Sequence, residues 1–235
     1  LFIKNEIIMS KEVSLKEKNT LLLWSFFIFN IAVFIFLFFA DYFDAFTKDY
    51  KTMLSLRSSG ILIAPLVLFI VNGLLSSNQK AILVFWRVKY PLPGARAFSI
   101  HAPNDPRVNM TNLQTLHGTL PVSERDQNEL WYNIYKAHTK DIVLAKSHKD
   151  FLLGRDITAV AFLFILLVGI PFLFFGTSPL CWIYLGGLVL QYLLTAVVAQ
   201  NHGRRFVTNV LAIASVKTPK PAKMSKPSKA KDKKP

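Results

Sequence analysis

Four long apolar runs lie in two pairs along the chain, with one polar stretch between the pairs. Residues 21–40 and 61–75 carry no charge, and neither do 157–175 and 182–199. A soluble chain spreads its apolar residues at helical or strand period. Near-continuous blocks instead predict lipid as their solvent. At about 1.5 Å per residue, twenty residues cross a hydrocarbon layer of about 30 Å. The pattern predicts an all-α integral membrane protein with four transmembrane helices arranged as two hairpins. A mainly helical cytoplasmic insert is expected between spans 2 and 3. The expected divisions are an N-terminus at 1–20, hairpin 1 at 21–77, the insert at 78–156 and hairpin 2 at 157–199. A juxtamembrane helix at 200–216 and a disordered basic tail at 217–235 follow.

Details within the runs sharpen this reading. Trp24 lies one turn inside the first run, where an interfacial indole is expected. Asn30 falls at mid-depth there, and Gln191 and Thr195 are the polar residues of the last run. The 61–75 run is short, so its helix is expected to begin near Met53, with Arg57 reaching back toward the headgroups. Pro65 and Pro171 predict kinks, and Gly186-Gly187 leaves room for a neighbouring helix. The 21–40 run is too long for the apolar part of a signal peptide and is expected to remain as a span. The chain opens on Leu1 with Met9 a candidate start, so 1–8 is expected to carry little structural weight.

The insert reads as local elements. Residues 80–90 predict a helix bending along the membrane surface, with Trp86 and Tyr90 at headgroup depth and a strand as the alternative. Pro91-Leu92-Pro93-Gly94 is expected to end it. Residues 95–121 predict a folded loop anchored by Phe98, Ile100, Val108, Met110, Leu113 and Leu116. Ser123, with Asp126 three residues on, predicts a helix start, and Leu130, Trp131, Ile134 and Tyr135 follow at helical spacing. A second helix is expected from about 141 to 153.

The net charge of +14 resembles a nucleic-acid signature until it is located. From Gly203 onward the chain holds ten Lys/Arg against one Asp, and the insert holds eleven basic against seven acidic residues. The 41–59 connection is balanced, with three of each sign. This asymmetry places the N-terminus, insert and tail in the cytoplasm and the short connections outside. Localisation in a cell membrane, of the bacterial inner-membrane kind, is therefore expected. Anionic lipid at the cytoplasmic face is the expected partner of the basic segments. Nucleic acid is a secondary reading.

Candidate chemistry is sparse. Cys181 is the single cysteine, so there is no intrachain disulfide and no cysteine-based metal cage. His138 and Asp141 share a helix face at i, i+3, but interleaved lysines oppose cation binding there. His148 and Asp150 are two apart and face different ways. Neither pair predicts a metal site, no phosphate loop or nucleophile elbow is present, and no cofactor is expected. One constellation does stand out. Arg87, Lys89, Arg96 and Arg107 are interleaved with Trp86, Tyr90 and Phe98. Basic and aromatic residues together can hold a phosphate and stack a base. Arg87, Arg96, Arg107 and Trp86 are thus the candidate ligand residues, with a lipid-facing surface as the alternative. Asn30, Gln191 and Thr195 are candidates for helix–helix bonding or a pore lining.

Three functions fit. The first is a non-enzymatic membrane component whose insert and tail bind a cytoplasmic protein or a ligand, possible also as a homo-oligomer. A channel or pore-forming effector gated by the insert is the second, and a membrane enzyme acting on a lipid or phosphorylated substrate is the third. Charge-free spans disfavour a coupled carrier, and the first reading is preferred. Truncation after Val216 removes eight lysines. It is expected to weaken binding to anionic vesicles, with the loss shrinking as salt is added. Unchanged binding at low salt would remove the tail as a lipid anchor.

Overall fold

The computed structural model describes residues 19–37, 70, 73–175 and 180–216, and among them the fold is helical with no strand. Helix α1 is Asn19–Leu37. Helix α2 is Ser77–Phe85, followed by a 3-10 turn at Pro93–Arg96 that runs into a π turn at Ala97–His101. Then come α3, Met110–His117, and α4, Glu124–Ala137. Helix α5 is Ile142–Phe164, prolonged through a π-helical stretch, Ile165–Gly169, into Ile170–Phe175. Helix α6 is Leu180–Val216. The 41–59 connection, most of the 61–75 run with Pro65, the 176–179 turn and the 217–235 tail lie outside the described residues.

Side-chain caps explain where the shorter helices begin. Ser76 and Gln79 form a reciprocal capping box at α2. Ser123 Oγ accepts from the Asp126 amide at 3.2 Å, so α4 starts where the sequence places it. Asn109 Oδ1 accepts from the Asn112 amide and caps α3, giving a helix inside the stretch read as loop. Asp141 does the same for α5 through the Val143 amide at 2.8 Å.

The end of α2 departs from expectation. It stops at Phe85, short of Pro91, because Trp86 adopts a left-handed conformation at φ 53°. The carbonyls left over at that terminus are satisfied from α6. Tyr192 Oη donates to Leu83 O at 2.8 Å and Gln200 Nε2 donates to Val84 O at 2.7 Å. A stop built by partners more than a hundred residues away leaves no local signal.

Among the described residues three helices are long and apolar enough to cross a membrane: Asn19–Leu37, Ile142–Phe174 and Leu180–Val216. The last two exceed what a bilayer core needs, at 33 and 37 residues. Each has an apolar half and a polar half. The apolar halves, with α1, enclose one core of Phe27, Val160, Phe164, Phe172, Tyr184 and Leu188. The polar halves support a second core, where Leu144, Phe151, Phe206, Val210 and Leu211 meet Val84, Phe98, Leu113, Trp131 and Ile134. The 200–216 segment is thus the second half of α6 and packs inside the insert. No helix break separates 141–153 from the apolar run after it; α5 is continuous through Gly154. Pro171 follows directly on the π-helical stretch, whose wider turn accommodates the missing amide hydrogen.

Helix α1 runs parallel to α5. Asn19 Nδ2 donates to Lys149 O at 3.3 Å, Phe27 meets Phe164 at 5.5 Å and Phe34 meets Phe172 at 5.5 Å. Helices α5 and α6 come close at Gly154, where a Cβ would stand 3.1 Å from Ala199 Cα. Gly154→Val forces that backbone contact apart and is expected to destabilise by about 1–3 kcal/mol. The measurement is the unfolding midpoint in detergent; an unchanged midpoint would show that the pair does not depend on this contact.

Candidate functional site

The Pro93–Arg96 turn lies flat on α4 because Gly94 permits it. A Cβ there would stand 2.6 Å from both Asn128 Oδ1 and Trp131 Cε3. The following turn is fixed by one buried amide. Gln127 Oε1 accepts from the Phe98 amide, the Ser99 amide and Ser99 Oγ, each at 3.1 Å, and its Nε2 donates to Val122 O at 2.9 Å. This anchoring holds Arg96 and His101 against the polar half of α6.

Arg96 meets two other cations there. Burial lowers the affinity of its guanidinium for a proton, and Arg87 and Arg204 push in the same direction, with Glu124 opposing them. Glu124 is itself engaged by Arg87 NH2 at 2.6 Å. Arg96 Nε is buried without a hydrogen-bond partner among the described residues. Behind it, burial first and then Arg96 and Arg204 push His101 down to about 4, so its imidazole is neutral at physiological pH. His101 Nε2 is likewise buried and unpartnered among the described residues. Arg96 is thus under the influence of two further guanidinium groups and one carboxylate, an excess of positive charge suited to an anion with several oxygen acceptors.

The candidates read from sequence separate in space. Arg87 and Arg96 come together. Arg107 goes elsewhere: it grips Asp105 with two bonds at 2.7 and 3.0 Å and reaches Thr208 and Asn209 on α6. That bidentate grip holds the Asp105 carboxyl well below the usual carboxylate range. Trp86 is 54% exposed, and its indole N–H donates to Tyr192 Oη at 3.1 Å. Phe98 is buried in the insert core, and the Lys89 ammonium lies over the Tyr90 ring. Arg204 and Glu124 were not among the sequence candidates. The only available signal was the Arg204-Arg205 pair standing just beyond the last apolar run.

The polar residues of the long helices stay mostly on their own helices. Asn30, 3% exposed, donates from Nδ2 to Phe26 O at 2.9 Å, and Thr195 Oγ1 donates to Tyr192 O at 2.9 Å. Gln191 Oε1 is buried with no partner among the described residues. His138 Nδ1 donates to Ile134 O at 2.8 Å while Asp141 caps α5, so the two are committed to separate backbone groups. His148 is hydrogen-bonded to Tyr135 Oη at 3.0 Å and stacks on Phe206 at 4.9 Å. Among the described residues no three histidine, cysteine or carboxylate side chains gather as a metal site. No family model, curated protein or solved structure matches the chain.

Burial of neutral histidines sets a pH dependence. His101 falls from 6.5 to about 4, and His117 is lowered too, first by burial and then by His138. Between those values the unfolded chain binds protons that the folded protein refuses, so stability rises with pH across that window. Stability is full above about 6.5, declines on acidification and levels off once His101 protonates near 4. His101→Gln is expected to flatten this slope in unfolding measurements between those pH values. An unchanged slope would show that His101 titrates normally in the folded protein.

Proposed function

We propose that this chain is a multipass membrane protein with four spans in two hairpins and with N-terminus, insert and tail in the cytoplasm. On this reading it acts as a non-enzymatic membrane component whose insert and basic tail bind a ligand or a cytoplasmic protein. The observation that carries the reading is the continuity of α5 and α6. The same two helices line the apolar core and build the insert core. A binding module placed this way is held rigidly at the membrane surface, with no linker to blur its position.

The parallel course of α1 and α5 supports the topology. Helix α1 ends beside Phe172, whereas α2 lies beside Asp156, through Lys80 Nζ at 3.1 Å. Sixteen helical residues separate those levels, about 24 Å at 1.5 Å each. A return crossing between α1 and α2 accounts for that distance, and the excess of basic residues in the insert supports a cytoplasmic side. The basic cluster of Arg87, Arg96 and Arg204 supports binding.

Topology and binding are tested together. Reporter fusions at Lys217 and within 113–127 are expected to report cytoplasm, and fusions at Lys48 and Thr177 the outside. The intact chain purified in mild detergent is expected to bring down a cytoplasmic protein that Arg87→Gln or Arg96→Gln weakens. An external signal within 113–127 would overturn the orientation.

A further inference from the structure

Arg96 poses a specific physical problem. Its half-buried guanidinium makes no ion pair or hydrogen bond with any described residue, and the charges nearest it include two more arginines. A cation held among cations, with its Nε shut away from water and unpartnered, is an unfavourable arrangement unless an anion completes it. Glu124 pairs directly with Arg87 and acts on Arg96 only across space. The remaining excess matches one phosphate group.

The surroundings indicate what carries that phosphate. Arg204 and Arg205, with Asn201, His202 and Val198, line an open cleft of about 430 Å³ on α6. Val197 lies two turns before Arg204 and so shares its face of the helix. From Val198 the exposed surface continues through Val197 and Leu194, apolar and unpacked, into the charge-free run of α6. Val88, next to Arg87 in the chain, is 82% exposed. A soluble phosphate compound has no use for an apolar track leading away from its site. A phospholipid does.

We propose that Arg87, Arg96 and Arg204 hold the phosphate of an anionic lipid headgroup, with an acyl chain lying along Val198, Val197 and Leu194. The assignment rests on the reading of α5 and α6 as spans, because only then does the apolar track lie in the bilayer. Arg96 supplies the donors that no protein group uses, and Arg204, whose NH2 donates to Gln200 Oε1 at 3.4 Å, closes the site from α6 beside the end of α2, where Gln200 holds Val84 O. His101, on the turn that follows Arg96, has its Nε2 buried and unpartnered among the described residues.

The test uses the full chain in detergent, with lipid retention read by native mass spectrometry. The probes are phosphatidic acid, whose headgroup is a phosphomonoester, and zwitterionic phosphatidylcholine. Wild type is expected to retain phosphatidic acid in preference to phosphatidylcholine. Arg96→Gln and Arg204→Gln are each expected to weaken that retention at least about tenfold, the scale of one charge-assisted bond. Lys146→Gln removes an equal charge from an exposed position on α5 and is expected to leave retention unchanged. Circular dichroism checks that each variant is folded, and Arg204→Gln carries the test if Arg96→Gln unfolds. Retention unaffected by both arginine variants overturns the site. Equal loss in Lys146→Gln also overturns it, by showing diffuse attraction only. Inorganic phosphate displacing the lipid at millimolar concentration would assign the cluster to a soluble anion and overturn the lipid source. If lipid selectivity fails while the reporter fusions and co-purification behave as expected, the lipid assignment falls and the binding-component reading stands.

Discussion

Close approach of α5 to α6 at Gly154 is the constraint on which the other contacts depend. With Ala199 opposite and Gly203 one turn on, the two backbones come together where apolar halves give way to polar ones. Gly203 leaves space for Phe151 and Phe85, either of which would stand within about 3 Å of an added Cβ. Those two rings lie 6.1 Å apart and begin the insert core. Small residues at this level therefore serve both sides: below, they let the apolar helices pack; above, they admit the aromatic side chains of the insert. Asp156 lies at the same level and receives Lys80 Nζ and Arg155 NH2 at 3.1 and 3.2 Å. A carboxylate shared by two mostly buried cations is costly to desolvate, and removing it would strand both. It fixes the register of α2 against α5.

Polar scaffolding does for the insert what glycines do for the helix pair. Gln127 satisfies three donors and one acceptor from a single buried position, so the chain from Phe98 to Val122 cannot shift without breaking several bonds at once. An aromatic group stands around Phe206, with Trp131, Tyr135 and His148 at centroid distances of 4.9 to 5.2 Å. These rings couple α4, α5 and α6, and they explain why the basic cluster is built from three separate stretches of chain yet stays in one place.

What the sequence showed follows from the range of each signal. Apolar runs and caps are local, so the long helices, the Ser123 cap and the mainly helical insert were legible. The stop after Phe85 was not, because Tyr192 and Gln200 make it from α6. Arg107 looked like a partner of Arg87 and Arg96 on composition, but Asp105, two residues away, captures it. Arg204 was expected on a juxtamembrane helix, and only the packing of that segment against the insert as the second half of α6 sets it near Arg96. Interleaved basic and aromatic residues mark a surface in sequence; whether they share it depends on turns such as Gly94 that allow one segment to lie against another.

The strained residues show how the two flanks of the basic cluster are referenced. Trp86 and Tyr90 both have positive φ, at 53° and 49°, a conformation costing side-chain-bearing residues on the order of 1 kcal/mol or more. Such strain persists only where neighbours over-determine it, and at Trp86 those neighbours are Tyr192 and Gln200 of α6. Arg87 therefore takes its position from the same helix that carries Arg204. Arg96 takes its position from α4, through Gln127 and the Gly94 contact. Spacing between Arg96 and the other two arginines is thus set by the distance from α4 to α6, which Trp131 spans by packing on Phe206 and donating to Val207 O at 3.4 Å. An anion drawing the three guanidinium groups together acts directly on that distance. On the proposed arrangement α6 is also a span, so occupancy of the cluster and the packing of the membrane helices are linked through one rigid rod.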